Sequence, residues 1–436
     1  MLRVLPLTVC LLAGSLFLSG RPASAWEALL TDDPALPPSL VAVDKANKTL
    51  FYFEKRSPLT MRQAFPSIHG QAEGDKQVRG DLRTPEGVYF VTGKVREPLD
   101  FEEYGSQAHA LNYPNPVDKL RGKTGSGIWI HSKGRPIANQ TTRGCIAVDL
   151  ADIDALAPHL VPGTPVVVAE NIVSDVIQPT PDVKADVAAA TPATEAMTRL
   201  LTEKTEAWNK AWASRSEAMF DFYDPDAYTR AQDESFSAFR AQKEQLFQRF
   251  PWIQIQYGEI NVLQGPGYWV SWFKQYYRAP NLSTEGIRRL YWQPVKNGEL
   301  KIVGMEWLPQ DLGMERAYLD SLAPSVVAFV EEWRQAWERG DLEAYASYYA
   351  KDAVQDGQRG LEAITARKKR TWGPKKKPLA VEFHGLRVRL EDRGVRVDMT
   401  QVYRDTSGYQ DKGTKEMLLY PEGDSWRIAS ETWTAL

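Results

Sequence analysis

Between Val41 and Phe53 apolar residues recur at every second position, Val41 and Val43, then Leu50 and Tyr52, around the turn residues Asp44-Lys45-Ala46-Asn47. That is the spacing of a strand pair with a buried face. Short strand-like runs follow at Gly87-Val88-Tyr89-Phe90-Val91, Gly127-Ile128-Trp129-Ile130, Cys145-Ile146-Ala147-Val148 and Val166-Val167-Val168, with turn residues between them. Asp152-Ile153-Asp154-Ala155-Leu156 reads as one short helix. The pattern predicts a mostly β domain over residues 26–173. Residues 174–196 change character: Pro179, Pro181 and Pro192 sit among Ala, Thr, Val and Asp without a sustained apolar period, which predicts a linker.

Beyond it lies an internal repeat. Trp208-Asn209-Lys210-Ala211-Trp212 and Trp333-Arg334-Gln335-Ala336-Trp337 each head a helix-like segment, and each segment runs to an Asp-Ala pair, Asp226-Ala227 and Asp352-Ala353. A strand-rich half closes each copy, from Leu300-Lys301-Ile302 to Trp307 and from Trp426-Arg427-Ile428 to Trp433. One roughly constant offset aligns the two, so residues 197–312 and 313–436 are expected to be duplicated α+β domains. Tryptophans at i and i+4 share a helix face, which suits a packed core and, alternatively, a cleft for sugar or peptide.

A chain of 436 residues exceeds a single core and suggests about three domains. The net charge of −3 asks for no polyanionic partner, so nucleic acid is not expected. The basic runs Lys368-Lys369-Arg370 and Lys375-Lys376-Lys377 read as solvated loop. The N-terminus has the form of a secretory signal over residues 1–25: Arg3, an apolar stretch from Leu5 to Leu18, and Ala23-Ser24-Ala25 before Trp26. The apolar run is short for a membrane span, so an exported mature chain without a transmembrane segment is expected.

Loss of that signal removes Cys10 and leaves Cys145 as the one thiol. Three roles are open to it: a packed core group, an intermolecular disulfide, or a nucleophile. His131 ends one β-run, Cys145 opens another, and Gly144 precedes the thiol, which favours the third. A thiol attacks a carbonyl as the thiolate, and an imidazole can take its proton and return it to a leaving amine. The amides of Gly144 and Cys145 are candidates to receive an oxyanion, and Ser132 to orient the imidazole. Zinc-type and phosphate-loop spacings are absent from the sequence, and no metal or cofactor is expected.

The surrounding motifs sharpen this. His131 with Thr142-Arg143-Gly144-Cys145, Gly74-Asp75-Lys76, the run from Gly80 to Tyr89, Asn112-Tyr113-Pro114-Asn115 and the run from Gly122 to Gly127 resemble the L,D-transpeptidase (YkuD-like) catalytic domain across residues 40–172. The resemblance implies a YkuD-like β-sandwich and a substrate in peptidoglycan stem peptides. The thiolate would attack the carbonyl at the L-centre of diaminopimelate in a tetrapeptide, expel the terminal D-alanine and form a thioester. An amine acceptor would give a 3-3 cross-link. Water would trim tetrapeptide to tripeptide, an L,D-carboxypeptidase activity, and some members attach or release a lipoprotein lysine. By the same resemblance Cys145 is nucleophile, His131 base and acid, Ser132 the backbone orienter, and Gly144 part of the oxyanion hole. Thr142, Arg143 and Tyr113 are the expected substrate-binding side chains. Many members carry an arginine where this chain has Ala147, and Arg143 either replaces its charge or is a solvated loop residue.

The repeats resemble nuclear-transport-factor-2-like (NTF2-like, SnoaL-like) cones. Similar cones accompany exported trimming enzymes that shape curved or helical cells, which implies a periplasmic, Gram-negative setting. The cones carry no acid–base set and are expected to bind glycan, peptide or protein. A wall-binding scaffold is the non-enzymatic alternative. If the cones only position the enzyme, deleting residues 196–436 is expected to leave activity on soluble fragments. Of the remaining histidines, His69 and His109 are candidates to line the cleft or to pack, and His159 and His384 have no partner pattern.

Overall fold

The structure, a computed structural model, describes residues 25–56, 58–372, 376–423 and 425–436. All but the last residue of the expected signal, and Lys375 of the second basic run, lie outside the described residues. The mostly β domain comprises β1 (Glu27–Leu29), β2 (Ser39–Asp44), β3 (Thr49–Lys55), β4 (Leu59–Ile68), β5 (Gly87–Lys94), β6 (Ala108–Leu111), β7 (Trp129–Ser132), β8 (Ile146–Val148), β9 (Pro165–Ala169) and β10 (Asn171–Val173). Three short helices interrupt them: α1 (Phe101–Tyr104), α2 (Pro116–Leu120) and α3 (Leu150–Leu156). Eight strands close on themselves in the order β2-β3-β4-β8-β7-β6-β5-β9, and β1 pairs in parallel with β10.

Period two explains why some of these strands are apolar throughout. In β2, β5 and β9, Val41, Val43, Tyr89, Val91, Val166 and Val168 fill the barrel. Their neighbours Leu40, Ala42, Val88, Phe90, Val167 and Ala169 face outward into a second core. That second core is completed by residues far along the chain, Leu263, Tyr268, Val270, Trp272, Tyr291 and Val303. Strands buried on both faces read as continuous hydrophobic runs.

Those distant residues belong to the first cone. Its helices are α4 (Pro181–Ala213), α5 (Pro225–Ala231) and α6 (Phe236–Arg249). Its strands are β11 (Gln254–Tyr257), β12 (Asn261–Gly265), β13 (Tyr268–Ala279), β14 (Leu282–Pro294) and β15 (Leu300–Pro309). The junction with the barrel is specific. Phe90 meets Trp272 edge-on at 5.1 Å, and the Arg289 guanidinium lies 4.1 Å from the centre of the Phe90 ring. The Tyr268 hydroxyl accepts from the amide of Val88 at 2.8 Å and from Asn115 Nδ2 at 3.2 Å. At Gly304 a Cβ would stand 2.4 Å from Pro116 Cβ, so glycine allows β15 to approach α2.

The second cone is built from α7 (Met314–Glu338), α8 (Leu342–Ser347), α9 (Leu361–Thr371), β16 (Tyr349–Gln355), β17 (Gln358–Arg359), β18 (Pro378–Glu391), β19 (Gly394–Asp405), β20 (Gln410–Glu422) and β21 (Ser425–Ala435). The repeat extends to pairing: β16 meets β21 in parallel through Tyr349 and Ile428, and the first cone makes the same bridge through Tyr223 and Ile302. Trp208 and Trp212, like Trp333 and Trp337, are buried in their cones' cores. Glu285 of β14 fixes the joint between cones, accepting from the amides of Leu312, Gly313 and Met314 at 2.7, 3.1 and 2.7 Å at the start of α7.

The expected linker requires correction. From Pro181 it is the first half of α4, which continues without a break into the first cone. Pro192 lies within this helix, where it removes one backbone bond. Thr191 and Thr194 donate their hydroxyls to the carbonyls of Val187 and Ala190, and the alanine-rich sequence carries high helix propensity. Among the described residues no helix is long and apolar enough to cross a membrane.

Candidate active site

Strands β7 and β8 run parallel, with Ile130 opposite Ile146 and His131 opposite Ala147. Ile130, Ile146 and Val148 point into the barrel. Alternation therefore turns His131 and Ala147 outward, together with Cys145 one residue before β8. His131 and Cys145 thus lie on one face of neighbouring parallel strands, two register positions apart.

His131 is 1 % exposed, and its Nδ1 stands 2.5 Å from the Ser132 carbonyl oxygen. With the proton on Nδ1 donated to that carbonyl, Nε2 is the basic nitrogen. The Tyr104 ring packs edge-on against the imidazole at 5.2 Å and tilted against Trp129 at 5.2 Å. Cys145 is half-buried and its thiol donates to the Gly127 carbonyl at 3.4 Å. Burial pushes the thiol up to about 11, opposed by the Trp129 amide and by the charges of Lys133 and Lys76, while Glu103 raises it further. Burial likewise holds the imidazole down to about 4, against the Ser132 carbonyl, which favours the charged form. Both groups rest neutral.

The loop carrying the thiol is shaped from within. Thr142 Oγ1 donates to the Cys145 carbonyl at 2.6 Å and accepts from the Gly144 amide at 3.1 Å. Buried Thr84 donates to the Gly144 carbonyl at 2.9 Å and accepts from the Gly70 amide at 2.9 Å, joining three segments through one hydroxyl. Gly144 has φ of 127°, and a Cβ there would lie 2.7 Å from the Arg83 carbonyl oxygen, so no other residue fits. Behind this loop Lys123 is buried between Asp75 at 2.7 Å and Asp118 at 2.9 Å, which ties the turn after α2 to the segment before β5.

Several sequence expectations change at this point. The Gly144 amide is already committed to Thr142, so of the two expected oxyanion donors the Cys145 amide remains. Thr142 spends its hydroxyl on the loop. Tyr113 is a core residue: its ring packs against Tyr89 at 5.9 Å and its hydroxyl donates to the Thr124 carbonyl at 3.2 Å, so it is removed from the substrate-binding set. Ser132 meets His131 through its carbonyl, and its own buried Oγ has no partner among the described residues. Arg143 is exposed, and its charge lowers the Tyr104 phenol, which burial raises. His69 and His109 contact the backbone carbonyls of Lys45 at 2.9 Å and Leu160 at 3.1 Å, and His159 stacks on Tyr52 at 4.0 Å.

Four side chains near the thiol were not legible as site residues. Tyr104, Glu103 and Lys133, the last two paired at 3.2 Å, come from α1 and the end of β7, and Lys76 is paired with Asp81 at 2.7 Å. Only Lys76 stood within a quoted motif.

Comparison with known proteins agrees with this architecture. The family described as the L,D-transpeptidase catalytic domain (YkuD) matches residues 38–168. The Cds6 C-terminal NTF2-like domain matches twice, at residues 200–306 and 325–432. No curated protein matches the chain. Among solved structures, Bd1075 of Bdellovibrio bacteriovorus is similar, with 24% identity, 67% of this chain and 99% of that chain covered, and a TM-score of 0.48. The helical cell shape determining protein Pgp2 of Campylobacter jejuni is similar at 27% identity, with 62% and 91% covered and a TM-score of 0.45. Residues 38–168 therefore carry an L,D-transpeptidase (YkuD) catalytic domain, and two NTF2-like domains lie behind it.

Proposed function

We propose that the protein is an exported cysteine acyltransferase that opens the diaminopimelate–D-alanine bond of tetrapeptide stems through a thioester on Cys145. The observation that supports this most is the parallel pairing of β7 and β8, with His131 and Cys145 on one outward face and His131 Nδ1 held by the Ser132 carbonyl.

His131 Nε2 takes the thiol proton as Sγ attacks the carbonyl carbon, since neither group is ionised beforehand. The Cys145 amide donates to the developing oxyanion. The imidazolium returns its proton to the amine of D-alanine as the C–N bond breaks, leaving the thioester and neutral His131. An acceptor amine or water then attacks the thioester, with His131 again taking its proton, and the thiol is restored. Arg143, exposed beside Tyr104, is assigned to the stem carboxylate.

Mass spectrometry of disaccharide-tetrapeptide incubated with residues 26–436 tests the reading. Loss of D-alanine is expected with the wild type and absent with Cys145→Ala. Tripeptide monomer alone would identify water as acceptor, and a 3-3 dimer an amine. Equal D-alanine release by both proteins, or by neither, would reject the assignment.

A further inference from the structure

Glu86 lies in the segment just before β5 with its side chain 1 % exposed, and Lys45 Nζ meets its Oε1 at 2.7 Å. The same ammonium meets Glu170 Oε2 at 3.3 Å and donates to the Gly74 carbonyl at 3.0 Å. Two carboxylates thus share one cation, and among the described residues no second cation is paired with Glu86. The other titratable groups around the cluster are engaged elsewhere. Asp75, which accepts from the Glu86 amide at 2.9 Å, is paired with Lys123, and His69 Nε2 stands 2.9 Å from the Lys45 carbonyl oxygen. A buried cluster with an excess negative charge is costly until a further positive group reaches it.

The second oxygen of Glu86 faces the start of the β domain, where Oε2 accepts from the backbone N–H of Trp26 at 3.0 Å. Trp26 is fixed by more than this bond. Its carbonyl accepts from the Glu170 amide at 3.0 Å, its ring packs on the core shared by barrel and first cone, and β1 begins at the next residue, with Glu27 opposite Asn171. Ala25, by contrast, is exposed. The sequence sets the small-x-small pattern Ala23-Ser24-Ala25 directly before this nitrogen. An amide there gives Glu86 a hydrogen bond, whereas an ammonium gives it both the bond and the missing charge.

We propose that release of residues 1–25 creates a charged site: the new α-ammonium of Trp26 pairs with Glu86 and locks β1 onto the barrel. Hydrolysis of the Ala25–Trp26 peptide bond by an export peptidase adds water across it, leaving a carboxylate on Ala25 and the ammonium on Trp26. The cluster then holds two cations and two carboxylates. The anchored segment is the one that carries Thr84, whose hydroxyl holds the Gly144 carbonyl.

The inference rests on the export reading, and two measurements separate the two. Mass spectrometry of the full chain expressed in a Gram-negative host reads the processed N-terminus, expected at Trp26. An unprocessed chain would sink the export reading together with this one, and a start at any other residue would sink this one alone. In vitro, residues 26–436, released from a cleavable fusion so as to begin at Trp26, are compared with residues 23–436 at pH 7, where a free α-amine is mostly charged. The chain beginning at Trp26 should melt at least about 3 °C higher. The gap should fall below about 1 °C when both chains carry Glu86→Gln, which keeps an acceptor and removes the charge. A gap below about 1 °C between the two unsubstituted chains, or one undiminished by Glu86→Gln, overturns the pairing. Should Glu86→Gln not fold, acylation of the Trp26 α-amine by N-hydroxysuccinimidyl acetate takes its place. Labelling at least about tenfold slower in the folded protein than in the urea-unfolded chain is expected, and equal rates overturn the proposal.

Discussion

At the scale of single residues the decisive fact is that both partners of the dyad rest uncharged. Burial holds His131 down to about 4 and pushes Cys145 up to about 11. The reactive form, neutral base beside neutral thiol, is lost below the first value by protonation of the imidazole and above the second by loss of the thiol proton. The dependence of kcat/KM on pH should therefore rise near pH 4 and stay level through neutrality. Alkylation of Cys145 by iodoacetamide should keep climbing with pH over the same range, since the thiolate is the reacting species. An acidic limb near ~6.5, the value of a free imidazole, would contradict the neutral pair. The sequence made the placement of His131 on one strand and Cys145 at the start of the next legible, because both sit within a spaced motif. Tyr104, Glu103 and Lys133 were hidden because their electrostatic influence on the thiol depends on how α1 folds back over β7.

Elements are joined around the site by few bonds, and Thr84 carries two of them. Thr84→Val keeps the shape but strands the Gly70 amide and the Gly144 carbonyl, each worth about 1–3 kcal/mol when buried unpaired. A melting temperature lower by several degrees and a drop in kcat are expected, with recovery of both in Thr84→Ser. A valine variant that melts and turns over like the wild type would remove Thr84 from this role. The quoted motif contained Thr84, yet spacing alone does not disclose which loops its hydroxyl unites. Helix α4 escaped for a different reason: prolines and the lack of an apolar period mimic a linker, while alanine propensity and threonine back-bonds operate below the level of pattern.

On the scale of the molecule, the barrel and first cone share one core. Each fully buried Val, Leu or Phe side chain contributes roughly 1.5–3 kcal/mol, so removing residues 197–436 exposes Val88, Phe90 and Trp272's former seat at a cost no single domain of this size absorbs. The shared core argues against the case in which the cones only position the enzyme and their deletion leaves soluble activity. Removal of 313–436 alone should leave a folded, active protein, whereas removal of 197–436 should give an aggregating or markedly less stable one. Thermal unfolding and tetrapeptide turnover of both truncations check this, and a stable, active 26–196 fragment would refute the shared core. Duplication and the class of both domains were legible from the repeat and the strand pattern. The docking was not, although the unbroken apolar run of Val88 to Val91 was its trace: one face fills the barrel, and the other awaits a partner nearly two hundred residues away.

That wait has a consequence for order in time. As the chain emerges from its N-terminus, every strand of the barrel is available before Tyr268, Trp272 and Val303 exist to cover its outer face. The nascent barrel is consequently an unfinished, adhesive intermediate until the first cone has followed it. Completion of the thiol-bearing barrel is thereby coupled to arrival of the first cone, so a prematurely terminated chain does not yield a stable, unaccompanied barrel.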